Sequence, residues 1–152
     1  MAGSLRTYDP KQVVVTFANN VLTGFAAGSF VTAARTVDLW EMVGGSDGEI
    51  TRVKNNDRSG TVTVVLQQSS ASNAFLQTQV TNDEVSNTGV GPLLVRDFVS
   101  GAGQIAAANA FIKRVPDWGR QTADETNVEW LFACPDLQIA HDGNLIAASL
   151  LP

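Results

Sequence analysis

The chain has 152 residues, 44% of them hydrophobic and 16% charged, which is the size and composition of one globular domain with a substantial core. Its formal net charge of −5 argues against a nucleic-acid-binding protein, because phosphate recognition needs basic patches; an acidic protein can still surround nucleic acid without holding it. One cysteine leaves no pair for an intrachain disulfide, and no apolar run approaches the ~20 residues of a membrane-spanning helix.

Met1 to Lys11 has no period and ends in Asp9-Pro10, a turn signal. Gln12 to Ala18 (QVVVTFA) alternates, with Val13, Val15 and Phe17 on one face, as a half-buried strand does. Asn19-Asn20 reads as a turn, and Val21 to Phe25 as a short returning strand. Gly28 to Ala33 (GSFVTA) is another β-type run.

Val37 to Arg58 (VDLWEMVGGSDGEITRVKNNDR) reads as a long hairpin or arm. Asp47-Gly48 at its centre is a strong signal for a type I′ turn, which needs positive φ at both central residues. That centre pairs Glu41 with Lys54 and Met42 with Val53, and sets Asp38 against Asp57. A free hairpin of this size is marginal in water. Leu39, Trp40, Met42, Val43, Ile50 and Val53 are too many apolar groups for an arm left in solvent, so these residues, with Arg52 and Lys54, are expected to meet a cover. Either its own core or another subunit could supply one.

Gly60 to Gln68 (GTVTVVLQQ) is the clearest strand, with Val62, Val64 and Leu66 inward. Ser70 to Val85 changes period and predicts a helix, with Ser70 or Ser72 as N-cap and Phe75, Leu76 and Val80 on one side. Asn87 to Pro92 is loop, Leu93 to Ser100 a strand, and Gly101-Ala102-Gly103 a turn. Gln104 to Val115 (QIAAANAFIKRV) stays undecided: its alanines suit a helix, while Phe111-Ile112 and the following Pro116 suit a strand. Pro116 to Thr126 is a polar connection, and Asn127 to Cys134 (NVEWLFAC) a strand with Val128, Trp130, Phe132 and Cys134 on one face. The tail from Pro135 ends apolar (LIAASLLP) and is expected to dock onto something. Seven or eight strands joined by short turns, without βαβ alternation, predict a mainly β fold: one domain over residues 1–152, an antiparallel β-sandwich/barrel with one flanking α-helix and a long protruding hairpin or loop.

Catalytic chemistry is hard to find. His141 is the single histidine, which rules out a multi-histidine metal site. Cys134 sits on an apolar strand face, where an inert buried thiol is the common case. Ser46 to Glu49 lacks the alternating ligands of a calcium loop. The Gly89–Gly91 and Gly101–Gly103 triplets lack the helix and the basic residue of phosphate loops. No catalytic residue, cofactor or metal is expected. Trp40 suits a core or an interface equally, whereas Trp118 beside Gly119 in a polar loop is hard to bury within a monomer. Trp and Arg are typical interface anchors, so Trp118 with Arg120 forms a second interface candidate.

Five blocks together resemble the small tail tube proteins of contractile-tailed bacteriophages. They are YDPKQVVVTF (Tyr8 to Phe17), GFAAGSFV (Gly24 to Val31), DGEITRVKNNDRSGTVTVVLQQSSASN (Asp47 to Asn73), NAFIKRVPD (Asn109 to Asp117) and EWLFACPDL (Glu129 to Leu137). The resemblance implies a β-sandwich or barrel with a flanking helix, assembled as hexameric rings stacked into a tube inside a sheath. It implies a strand for Gln104 to Val115 and makes Val37 to Arg58 the loop that reaches between subunits and rings. The implied partners are further copies of the chain, the tail sheath protein, and baseplate and tail-terminator proteins. DNA would transit the lumen without specific binding, and this chain would insert in no membrane. Its place would be the virion, after assembly in the host cytoplasm. Tubes of phage-like bacteriocins or of type six secretion share the architecture and are the alternative. A monomeric β-sandwich module binding a ligand between Trp40 and Trp118 stands further off, as does an enzyme using Cys134 or His141.

Overall fold

The computed structural model describes residue 5, residues 9–98 and residues 103–141. Tyr8 of the first family-like block, the Gly101-Ala102 turn and the apolar tail LIAASLLP lie outside the described residues.

The first strand, β1 (Val13–Phe17), buries Val15 and Phe17 completely, as its alternation predicts. The turn that follows falls one residue earlier than Asn19-Asn20. Ala18 and Asn19 hold φ of 49° and 67°, the pair of positive values a I′ turn needs, and Asn20 already belongs to β2 (Asn20–Leu22). Asn20 instead donates its side-chain amide to the Ala18 carbonyl at 3.1 Å. The Gly28 to Ala33 run extends later than read: β3 is Val31–Arg35, and Phe30 stays outside it with its ring 4.8 Å from that of Phe25. Beyond the arm come β6 (Gly60–Gln67), the helix α1 (Ser72–Ser86), β7 (Gly91–Asp97), β8 (Gly103–Arg114), β9 (Asn127–Cys134) and β10 (Leu137–Ala140).

These strands form one eight-stranded antiparallel sheet in the order β2-β1-β7-β8-β9-β6-β3, with β10 also on β8. β8 joins two layers. Residues 103–110 pair with β7, and Phe111 to Arg114 pair with β9. The inner faces meet over one core: Val15, Phe17, Leu93 and Val95 on one side, Val62, Val64, Leu66 and Phe132 on the other. The Phe17 and Phe132 rings stand 4.9 Å apart at 59°, a tilted pair that bridges β1 and β9.

The undecided segment Gln104 to Val115 is therefore a strand. A register irregularity opposite Gly91/Leu93 lets Ala107 and Ala110 both point inward, and this three-residue spacing is what imitates a helix in the sequence. β10 is an element the sequence did not announce. It continues, against β8, the register that β9 begins: Ile112 faces Phe132 and Ala107 faces Leu137. Pro135-Asp136 thus interrupts one long partner of β8.

The helix starts later than Ser70, and its N-cap is Ala71, whose side chain makes no cap bond. Ser70 nonetheless makes a cap-type bond, its Oγ accepting from the Ser72 N–H at 3.2 Å, and both serines also serve tertiary contacts. Ser70 Oγ donates to the Thr23 carbonyl at 2.5 Å, and Ser72 Oγ accepts from the Thr23 N–H at 2.9 Å. Leu76 and Val80 are buried, as their spacing predicts. Trp130 of β9 donates its Nε1–H to Asn73 Oδ1 at 2.9 Å, and Asn73 donates to the Gln67 carbonyl at 2.9 Å, so one polar chain ties the helix start to β9 and β6.

Candidate assembly surface

The arm emerges where β3 ends and β6 begins, as an outgrowth of the hairpin those two strands make. Its own strands, β4 (Trp40–Gly44) and β5 (Ile50–Lys54), form a separate two-stranded sheet in which all ten residues are exposed. Below it, Thr36 N–H donates to the Ser59 carbonyl at 3.0 Å, and the Asn55 N–H to the Leu39 carbonyl at 2.8 Å. From Arg35 to Trp40 the chain advances five residues, while their partners Gly60 and Lys54 lie six apart. The extra residue is taken up in 55–59, where Asn55 Oδ1 accepts from Asp57 N–H at 3.2 Å and Asp57 Oδ1 from Ser59 N–H at 3.0 Å. The bonds from Ser59 lower the Asp57 pKa below its ordinary 3.8. Arg58 anchors the base: its carbonyl accepts from Leu137 N–H at 2.9 Å, and its Nε lies 3.3 Å from Asp136 Oδ1.

The hairpin is present, but its register is one residue off the sequence reading. Trp40 pairs with Lys54, Glu41 with Val53 and Met42 with Arg52, instead of Glu41 with Lys54 and Met42 with Val53. The cause is the tip. Gly45 N–H donates to the Glu49 carbonyl at 2.7 Å and Gly48 N–H to the Gly45 carbonyl at 3.1 Å, enclosing Ser46, Asp47 and Gly48. Only Gly48 has positive φ, at 91°, while Asp47 uses its carboxylate to accept from Glu49 N–H at 3.2 Å. That is the three-residue loop, a tight turn followed by a left-handed glycine, in place of the two-residue I′ turn.

A one-residue slip moves every side chain to the other face. Trp40, Met42, Ile50, Arg52 and Lys54 consequently share one face, and Glu41, Val43, Thr51 and Val53 the other. On the first face the Arg52 guanidinium lies 3.8 Å from the Trp40 ring centre, a cation–π stack. Trp40 is nevertheless 42% exposed and Met42 78%, and Leu39, Val43, Ile50 and Val53 are also open to solvent. Within this chain, then, the arm's apolar residues are not covered by the core, and Trp40 is not a core tryptophan.

Trp118 and Arg120 lie elsewhere. Trp118 is 80% exposed, and Arg120 stacks 4.5 Å from its ring centre while donating to the Gly119 carbonyl at 2.8 Å. The tryptophan separates two surface grooves of about 350 and 270 Å³. The larger is floored by Glu129 and Leu131 of β9 and walled by Pro116 and by Arg114 and Asp117, which pair with each other at 3.2 Å. Glu129 and Leu131 were missed in the sequence; their only signal is that they alternate with the buried Trp130 and Phe132. The arm leaves by the Gly60 end of β6, whereas Asn127 and Glu129 pair with Gln67 and Val65 near its other end. The two candidate surfaces are thus at opposite ends of one strand and do not form a single ligand site.

Cys134 is 1% exposed, and burial pushes its thiol up to about 11, so the nucleophilic thiolate is scarce at neutral pH. His141 lines a cleft of about 430 Å³ whose other walls include Phe30, Val31, Ile105 and Ile139. Among the described residues, no three His, Cys, Asp or Glu side chains gather as metal ligands, and no helix is long and apolar enough to cross a membrane.

Residues 15–142 match the family described as the Bacteriophage PhiTE tail tube protein. The chain belongs to this phage tail tube family. The tube protein is also 31% identical to "Structural protein ORF10" of Pseudomonas phage KPP10, over 95% of this chain and 87% of that one. Among solved structures, the tube-terminating cap of the anti-feeding prophage superposes with a TM-score of 0.62 at 9% identity, covering 93% of this chain and 95% of that one. The sheath/tube terminator of the PVC extracellular contractile injection system gives 0.62 at 9% identity, over 90% and 99%. A chain of the sheath-tube complex of that same system gives 0.59 at 9% identity, over 89% and 92%. At such identity these likenesses speak to the fold, an antiparallel β-domain with one helix. The tube protein's role is structural, as part of a phage tail.

Proposed function

We propose that this tube protein forms hexameric rings that stack into the channel of a contractile phage tail, through which DNA passes during injection. The observation that carries the reading is the arm: a ten-residue ladder standing off the main sheet with apolar side chains on both faces and no cover from its own core. A contiguous exposed apolar surface of this kind marks a site of interaction with a partner. A contact between different patches on successive copies closes into a ring when its rotation divides the circle and propagates as a filament when it does not, so the ring uses the first outcome and the stacking of rings the second. The arm residues Leu39, Trp40, Met42, Val43, Ile50, Arg52, Val53 and Lys54, with Asp47 and Gly48 shaping the tip, form the subunit interface on this reading, and Trp118 with Arg120 a second one. Six copies at −5 each carry −30, a charge that repels passing DNA and keeps it from adhering. The sheath partner and the contractile tail draw support from the fold shared with a chain of a sheath-tube complex. The phage relative at 31% identity favours a tail over a bacteriocin or secretion tube.

Electron microscopy and sedimentation of concentrated protein test the proposal. Six-fold rings or tubes are expected, and deletion of Val43 to Val53 should abolish them. A protein that stays a compact monomer, equally soluble and stable without those residues, refutes it.

A further inference from the structure

The two exposed aromatic surfaces differ in chemistry and position in a way that makes them complementary. On the arm, the face with Trp40, Met42 and Ile50 also carries Arg52 and Lys54, whereas Glu41 lies on the opposite face. Among the described residues neither cation has an ion-pair partner. The guanidinium of Arg52 lies against the Trp40 ring, which leaves its N–H edges free to take a carboxylate in two parallel bonds. In the larger groove, Trp118, Pro116 and Leu131 provide apolar walls, and Arg114 is engaged by Asp117. Glu129 remains exposed there, with no ion-pair partner among the described residues. One surface is apolar with an available cation; the other is apolar with an available carboxylate.

Their placement adds direction. The arm leaves the Gly60 end of β6, and Glu129 lies across from Val65, five residues along that strand. At about 3.4 Å per residue that is about 17 Å from the arm's root, and no arm residue lines the groove. An arm seated in this groove would therefore be that of another copy.

We propose that the Trp40–Arg52 face of one subunit's arm seats in the Trp118 groove of the next, with Arg52 paired to Glu129. This rests on the assembly reading above and names its acceptor. The contact joins unlike ends of identical chains, so it leaves a free arm at one end of the stack and a free groove at the other.

Charge exchange tests it, with the concentration at which rings or tubes appear as the readout and the monomer melting temperature as the folding control. Both residues are exposed, so Arg52→Glu and Glu129→Arg should each fold normally while raising that concentration about tenfold or more, because each sets like charges face to face. Combining Arg52→Glu with Glu129→Arg should restore assembly to within a few-fold of wild type. If either single reversal leaves assembly unchanged, or if the double is no better than the singles, Arg52 and Glu129 do not meet. A wild-type protein that never assembles overturns the tube reading itself, a separate result.

Discussion

Replacing Trp40 with alanine separates a residue that stabilises the fold from one that stabilises the assembly. Within the subunit, the ring of Trp40 stacks on Arg52 of the same arm face at 3.8 Å. An exposed cation–π stack is worth about 0.5–1 kcal/mol. In a domain of this size each kcal/mol moves the melting temperature by about 2–4 °C, so the monomer should lose no more than about 4 °C. Assembly has more to lose. Trp40 is 42% exposed, and a tryptophan offers about 250 Å² for burial, so a partner can cover about 100 Å². At ~25 cal/mol per Å² that is about 2.5 kcal/mol per contact, or about 60-fold in the concentration needed for tubes. The assay pairs sedimentation across a dilution series with thermal melting of the monomer below the wild-type threshold. Truncating a buried aromatic usually costs about 3–5 kcal/mol. A monomer whose melting point falls by about 10 °C, with an unchanged assembly threshold, would show that Trp40 acts within the fold and refute the interface assignment.

Other perturbations probe the body. Trp130→Phe keeps an aromatic side chain but removes the indole's second ring and its bond to Asn73 Oδ1 at 2.9 Å, and should cost at least about 1–2 kcal/mol by chemical denaturation; no loss would mean that this link does not hold the helix to β9. Gly60→Ala places a Cβ 2.6 Å from the Ala34 carbonyl oxygen and against Leu137 Cδ2. That crowding should destabilise by about 1–3 kcal/mol and disturb the arm's root, seen as a lower melting point together with weaker assembly. Cys134 gives a pH signature. Its folded value of about 11 stands above the ordinary 9.0, so burial favours the protonated native state; this contribution is fully present below 9 and is lost as pH rises towards 11. Denaturation midpoints should fall over that range, and less steeply in Cys134→Ala; equal slopes would refute the link to the thiol.

The strands with one dry face were legible because burial imposes a period of two. Gly60 to Gln67 and Asn127 to Cys134 follow it residue by residue. The arm's existence was legible too, from apolar residues flanking turn chemistry. Its register was not, because Gly45 lies close enough to Asp47-Gly48 to close a longer loop, and that loop needs only one residue with positive φ. Gln104 to Val115 resisted a local reading because an irregularity against β7 brings Ala107 and Ala110 to the same side. β10 has only Leu-Gln-Ile-Ala to offer, and it is a strand because β8 extends far enough to pair with it. At the candidate surfaces, Trp118 was visible as an aromatic stranded among polar residues. Glu129 was not, since its groove exists only where the end of β8, the following loop and β9 converge.

The root of the arm has a mechanical consequence. The arm feeds into β6, which is paired along five residues with β3 and along eight with β9. Antiparallel hydrogen bonds lie across the strands, so a pull on the arm, which draws β3 and β6 the same way, loads the eight-residue pairing of β6 with β9 in shear instead of peeling it bond by bond. A tensile force passed from one subunit to the next would be carried by the best-buried strand of the domain. The hairpin can thus be a soft element in solution and a stiff tether under axial load.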